Sequence, residues 1–423
     1  DHHMLVNLAR NVLTEHRPKA EEFTDPDKTR QVFFNVSRDL LTELSKSKGI
    51  DLNHKELNKL ARILVRYTIG FGLIEILLMD AGLQDIVLNA PIAQNPIFVR
   101  HEKYDECVTN ILPSYEDADS WAAKLRLQSG RPLDEANPVL DTDLVFGNVR
   151  ARVAAITQPL SPAGLGYALR RHRDDPWTLP LFIQKKMLNS FAAGLLSFVI
   201  DGNRTLLVAG TRSSGKTSLL GSFLLEIMPK FRVIVVEDTL ELPVDALRKI
   251  GYDIMRMKVR SALVSGTTEV EASEGIRTSL RLGDSALIVG EVRSSEAKAL
   301  YEAMRVGALA NVVAGTIHGD SPYGVFDRVV NDLNVPSTSF KATDLIVIAN
   351  PVKTPDGLHS IKRMMSLTEV RKHWKNDPAQ EAGFVDLLRY NVEKDDLEPT
   401  SELINGESVI IKNIAGNVKG WAG

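Results

Sequence analysis

The spacing of apolar residues changes along the chain and divides it into stretches of different character. From Leu5 to Arg66 apolar residues recur three or four positions apart in a charged background, at Val32, Phe33, Val36, Leu40, Leu41 and Leu44 among others. That spacing places a stripe on an α-helix, so residues 1–66 are expected to be a helical lead-in. From Leu83 to Tyr167 the pattern shortens to strand-like pieces, "DIVLNA", "PIFVRH", "GNVRARVAAIT" and "GLGYALRRH", with one helical stretch over Ala118 to Ser129. This predicts an α+β domain over 67–170.

In "RHRDDPWTLPLF", Arg171 to Phe182, two prolines and a charge cluster interrupt any regular pattern, and the segment is expected to be a hinge linker. The second half then alternates: "RTLLVAG", a helix after Lys216, "RVIVVED", a helical "SEGIRTSLRL", "ALIVGEV", "SSEAKALYEAMRVG" and "NVVAGTIH". Apolar strands separated by helices imply an α/β fold over 183–365, with a mainly parallel sheet covered on both faces. Looser pieces, "GFVDLLRYN" and "SVIIKNIA", suggest a small appended subdomain over 366–423.

One short segment gives this pattern a chemistry. "GTRSSGKT" fits G-x-x-x-x-G-K-[ST] through Gly210, Gly215, Lys216 and Thr217, and it lies between an expected strand and an expected helix. Small residues let successive backbone N–H groups turn toward phosphate oxygens, the helix start adds its positive dipole end, and the lysine reaches the outer phosphates. Gly210, Thr211, Arg212, Ser213, Ser214, Gly215, Lys216, Thr217 and Ser218 are therefore the candidate nucleotide-binding residues. Thr217 is placed to ligate Mg²⁺.

Ligands of open α/β sheets lie beyond the carboxyl ends of the strands. "VIVVEDTLEL" ends in Glu237, Asp238 and Glu241, "ALIVGEVR" in Glu291 and Arg293, and "NVVAGTIHGD" in His318. Hydrolysis of a γ-phosphate needs held Mg²⁺, a positioned water and positive charge. Glu291 suits the Mg²⁺ and water-positioning role, Glu241 the general base, and His318 a contact that senses the γ-phosphate. Asp238 equally suits a helix cap.

Composition narrows the remaining choices. The 423 residues leave room for two or three domains, and a net charge of -3 gives no global reason to expect nucleic acid. With one cysteine, Cys107, an intramolecular disulfide and a cysteine-rich zinc site are both excluded. The runs "IGFGLIEILL" and "FAAGLLSFVI" are shorter than the ~20 residues a membrane helix needs. No signal peptide is expected, and "DHHM" reads as the end of a purification tag, which sets His2 and His3 aside as ligands.

The four motifs in series resemble the hexameric ATPases of type II and type IV secretion, pilus assembly and archaellum assembly. "GTRSSGKT" is similar to that family's Walker A, "VEDTLEL" to its Asp box, "ALIVGEVR" to its atypical Walker B and "AGTIH" to its His box. "SGRPLDEANPVLDTDL", "NVRARVAA" and "LRRHRDDPWTLPLF" resemble its N-terminal domain, and these with "KATDLIVIANPV" look most like the archaeal branch. The resemblance implies a RecA-like P-loop domain and catalytic roles for Glu241, Glu291 and His318. It also implies nucleotide contacts from among Arg150, Arg152, Arg170, Arg171 and Arg173, with Arg152 and Arg171 preferred. ATP and Mg²⁺, a homohexamer, a membrane platform partner and a cytoplasmic, peripherally attached location are implied in the same way.

Two departures stand out. Ser213 occupies a position where many members have glycine, which strains the loop if that position needs positive φ. The tetracysteine zinc module of bacterial type II members has no counterpart, so zinc is not expected. The rivals are a RecA-like nucleic-acid motor, a non-hydrolysing scaffold and a small-molecule kinase. The first lacks a basic stripe interleaved with aromatics, paired Glu241 and Glu291 speak against the second, and the third lacks an acceptor-pocket signature.

Overall fold

The computed structural model describes residues 2–420 apart from 16–25, 148, 174, 261–269, 284, 308–310 and 358. The chain forms two compact units, Asp1–Asp174 and Asp175–Gly423. In the first, helices His2–Glu15, Pro26–Lys48 and His54–Thr68 pack around Leu5, Leu13, Leu41, Leu60 and Leu64. The third helix starts at a capping box, in which Asn53 accepts the Glu56 N–H while Glu56 accepts that of Asn53. On the second helix the buried positions are Thr29, Phe33, Ser37, Leu41 and Ser45, whereas Val32 and Val36 face outward, 50% and 44% exposed. The stripe expected from apolar residues alone is thus displaced, because two small serines lie on the packed face.

Six strands follow: β1 (Leu83–Leu88), β2 (Phe98–His101), β3 (Asp105–Val108), β4 (Val139–Phe146), β5 (Val149–Ile156) and β6 (Gly166–Arg171). They form an antiparallel sheet in the order β3-β2-β1-β6-β5-β4. Alternation puts Ile86, Leu144, Val153 and Leu169 on one face, packed with Trp121 and Leu125 of helix Tyr115–Ser129. On the opposite face one cross-strand row places a charged residue on every strand: Glu106, Arg100, Asp85, Arg170, Arg152 and Asp143.

The second unit holds β7 (Thr205–Gly210), β8 (Val233–Glu237), β9 (Ile254–Lys258), β10 (Ala286–Val292), β11 (Val313–His318), β12 (Leu345–Lys353), β13 (Ser360–Val370), β14 (Phe384–Asn391) and β15 (Asp396–Pro399). The order is β15-β14-β13-β12-β7-β11-β10-β8-β9, parallel from β12 to β9. Odd and even strand positions enter two separate cores. Leu206, Val208, Val235 and Ile288 pack under helices Ser190–Asp201 and Lys216–Glu226. Leu207, Val236, Leu287 and Val289 pack under Glu296–Gly307. Burial on both faces is why these strands read as continuous apolar runs.

Two expectations are corrected. The residues from Ser366 onward are not an appended subdomain, because β13, β14 and β15 continue the main sheet as antiparallel strands, with Leu367, Leu387 and Leu388 in its core. The expected linker is also shorter than Arg171 to Phe182. Arg171 ends β6, and Thr178 caps a helix, Leu179–Gln184, whose Leu179 and Phe182 are buried in the second unit.

Candidate nucleotide-binding site

Strand β7 is buried along its whole length and ends in Gly210, where a side chain is impossible: an added Cβ would lie 1.9 Å from the Ala349 carbonyl oxygen of β12. Beyond it the backbone turns left-handed at Ser213, φ 61°, and at Gly215, φ 91°. Ser213 therefore holds a conformation that costs an L-residue about 1 kcal/mol, as the serine-for-glycine departure implied. Helix Lys216–Glu226 starts directly from Gly215 with no side chain capping its first amides. The Lys216 ammonium folds back and donates to the Thr211 carbonyl at 2.7 Å, and the residue is 8% exposed. Burial lowers its pKa, while the charges of Glu291 and Glu241 act in the opposite direction. Thr211, Arg212 and Ser213 are exposed, Ser214 is fully buried, and Thr217 and Ser218 are half-buried.

Parallel order brings the other polar groups to this edge. Because β11 lies between β7 and β10, His318 pairs opposite Gly210 and Val292 opposite Ile317. His318 Nε2 is 3.0 Å from Glu291 Oε1, and the other Glu291 oxygen is paired with Arg293. Arg293 reaches further and donates to Asp238 Oδ2 at 2.8 Å. A continuous chain Asp238–Arg293–Glu291–His318 thus spans β8, β10 and β11 beside the phosphate loop. Burial pulls the Glu291 carboxyl upward, but the Arg293 hydrogen bond and charge, with His318 and Lys216, outweigh it and leave its pKa below the ordinary value. His318 is shifted down by burial and then by Lys216, against the pull of Glu291.

Glu241 sits on the turn after β8, and its charge acts on Lys216. Glu237, at the end of β8, is buried beneath that turn, and burial pushes its carboxyl up to about 7. Asn350 carried no motif signal, yet its Oδ1 accepts the Thr211 N–H at 3.0 Å while its amide donates to the Asp320 carbonyl at 3.3 Å. It lies within "KATDLIVIANPV", but its role shows only once β12 is known to lie against β7. Arg256, on β9, was equally invisible.

The candidate arginines lie in the first unit and have partners there. Arg152 makes a two-pronged ion pair with Asp141, at 3.0 and 2.6 Å, and Arg170 donates to Asp85 at 2.8 Å. Arg171 donates to the Leu78 carbonyl at 2.7 Å and to the His172 carbonyl at 3.2 Å. Burial, reinforced by Arg150, pushes His172 down to about 4. Among the described residues no group of three or more His, Cys, Asp or Glu side chains is arranged around a metal. Thr217 and Glu291 suit Mg²⁺ only in the sense of hard oxygen donors that share it with phosphates and water.

A glycine-bounded loop between a buried strand and a helix, at the carboxyl edge of a mainly parallel sheet, defines a RecA-like P-loop fold. The chain belongs to the type II/IV secretion system protein family, whose model matches residues 99–380. An uncharacterised protein of Methanocaldococcus jannaschii is 27% identical over 77% of this chain and 57% of its own length. A second from that organism is 30% identical over 65% of this chain and 37% of its own. The chain therefore spans little more than half, and about a third, of the lengths of these two relatives. A putative conjugal transfer protein of Mycobacterium tuberculosis is 28% identical over 62% of this chain and 72% of its own. Among solved structures, the Legionella pneumophila ATPase DotB is similar with a TM-score of 0.51 at 16% identity, covering 69% of this chain and 78% of that one. The pilus retraction motor PilT with bound ADP gives 0.51 at 18%, covering 70% and 81%. These structural likenesses speak for the fold.

Proposed function

We propose that the chain is the ATP-hydrolysing motor subunit of a type II or type IV secretion or pilus-type assembly machine. The observation that carries this is the ion-pair chain from Asp238 to His318 beside a phosphate loop whose lysine is folded onto its own backbone. Gly210 to Ser218 hold the phosphates, with Lys216 moving from the Thr211 carbonyl to the outer phosphate oxygens. Thr217 and Glu291, the latter through water, hold Mg²⁺, which supplies charge neutralisation to the phosphates when bound. Glu241 takes the proton of the attacking water as its oxygen displaces the β–γ bridging oxygen. His318 exchanges its contact with Glu291 for the γ-phosphate and so reports whether that group is present.

In this reading Arg152 and Arg171 are the first-unit residues that meet the nucleotide, and closure about the segment between β6 and Leu179 is a hinge motion. Six subunits in a ring deliver it to a membrane platform protein from the cytoplasmic side. No described helix is long and apolar enough to cross a membrane. The names of the relatives, secretion and conjugal transfer proteins and a pilus motor, favour this reading over a nucleic-acid motor.

The test is steady-state ATP turnover with light scattering for mass, on the wild type, Lys216→Ala and Glu291→Gln, with and without single-stranded DNA. Mg²⁺-dependent turnover by a hexamer, indifferent to DNA and lost in both variants, is expected. Wild-type turnover in either variant overturns the site, and strong DNA stimulation overturns the machine.

A further inference from the structure

Of the buried carboxylates, Glu237 lies directly beneath the turn that carries Glu241. Glu237 is 2% exposed, and its Oε1 accepts two backbone N–H groups of the following turn, from Glu241 at 2.8 Å and Leu242 at 2.7 Å. Its Oε2 has no hydrogen-bond partner and faces the Nε of Arg256 at 3.4 Å. Arg256 projects from β9 and holds the same turn further along, donating to the Leu242 carbonyl at 2.5 Å and to Asp245 at 3.0 Å. The turn also hangs from Arg293 through Asp238.

Space for Glu237 is provided by β10. Gly290 precedes Glu291, and an added Cβ there would lie 3.1 Å from Glu237 Cγ. Hence one side chain underlies both the turn that carries Glu241 and the strand that carries Glu291. A carboxylate that fixes backbone amides costs burial free energy that an apolar residue would not, so packing alone does not account for it.

Resting on the proposed function, we infer that Glu237 is a positioning residue: with Arg256 it sets the turn 239–242, and thereby the place of Glu241 relative to Lys216, without touching substrate. The discriminating pair is Glu237→Gln and Glu237→Met. Both remove the charge at similar volume, and only glutamine keeps an oxygen for the two amides.

Amide hydrogen exchange of the nucleotide-free chain reads the turn directly. In Glu237→Met the peptide covering 238–245 exchanges ~10-fold faster, with peptides of β7 unchanged, while Glu237→Gln stays near wild type. Turnover follows the same split: kcat falls ~30-fold in Glu237→Met with KM nearly unchanged, because a general base displaced by about an ångström loses rate and not binding. Equal exchange and equal kcat in the two variants overturns the inference, even if Glu291→Gln abolishes turnover. If the wild type hydrolyses no ATP while the exchange difference stands, the proposed function fails and the positioning geometry survives. Should Glu237→Met not fold, Arg256→Lys decides: loosening of the same peptide supports the inference and unchanged exchange overturns it.

Discussion

Two acidic residues in the same sheet show how partner type separates architecture from working parts. Glu369 on β13 is fully buried, accepts from the Ser408 hydroxyl at 2.6 Å and from the amides of Val409 and Ile410, and pairs with Arg371. It caps helix Val409–Gly416 and ties the end of the chain to the antiparallel strands. Glu291 on β10 is held, among the described residues, by the side chains of Arg293 and His318, from its own strand end and from β11. Backbone donors cannot leave without unfolding, whereas side chains exchange partners by rotation. In the proposed function the parallel edge is therefore the part that rearranges around a ligand, while the antiparallel end stays set. Glu237 stands between them, anchored to backbone through one oxygen.

The largest effect that sharpens this contrast is at the parallel edge. Lys216→Ala and Glu291→Gln are expected to lower turnover ~100–1,000-fold, Glu291→Gln with bound nucleotide retained in a filter or fluorescence assay. A fall in urea midpoint as large as that of a core substitution in Glu291→Gln would erase the distinction from Glu369. At the other end, Glu369→Ala should cost about 3 kcal/mol, since it removes the carboxylate paired with Arg371 and leaves the Ser408 hydroxyl and the Val409 and Ile410 amides without their acceptor. Urea unfolding measures this, and turnover per folded molecule should stay within about twofold.

A smaller effect depends on pH. The Glu237 carboxyl is raised to about 7 from 4.5, with Arg256 and the Glu241 and Leu242 amides opposing burial and the Glu241 charge reinforcing it. Its protonated form is thus favoured by folding: that contribution is complete below the unfolded value and lost as pH rises through about 7. The melting temperature of Glu237→Gln relative to wild type should climb between pH 5 and pH 8, ~5 and ~8 bracketing the transition. A flat difference would mean that Arg256 fully compensates the charge. The smallest effect is Ser213→Gly. Relief of the left-handed backbone, about 1 kcal/mol, is nearly offset by glycine's greater unfolded freedom, ~0.5–1 kcal/mol. Calorimetry should find almost no change, and a clear loss would reveal a bond made by the Ser213 hydroxyl.

What the sequence made legible was local. Continuous apolar strands betray burial on both faces, and the loop from Gly210 to Thr217 announces itself by spacing. The order of the strands is not written there, and the meeting of His318 with both Gly210 and Glu291 depends on β11 lying between β7 and β10. Long-range partners such as Asn350 and Arg256 were hidden for the same reason. The C-terminal strands escape the alternating pattern because β13 to β15 pair antiparallel with one another, so no intervening helix marks them as part of the main sheet. The arginines of the first half were read as a group, and nothing in their clustering foretold that Arg152 would be held by Asp141, eleven residues earlier across a hairpin.

The charged row on the first unit's sheet bears on how that sheet finds its alignment. Slipping any strand by one residue turns its member of the row into the apolar core. A slip of two residues keeps the faces correct but removes that charge from its neighbours, Asp85 from Arg100 and Arg170 for example. In β1, β2, β3 and β6 the strand is thus checked twice, once by hydrophobicity and once by sign, whereas β4 and β5 repeat the sign two residues away at Asp141 and Arg150. The single like-charged step, Arg170 beside Arg152, is the weak digit of this code, made tolerable by Asp85 on one side and Asp141 on the other.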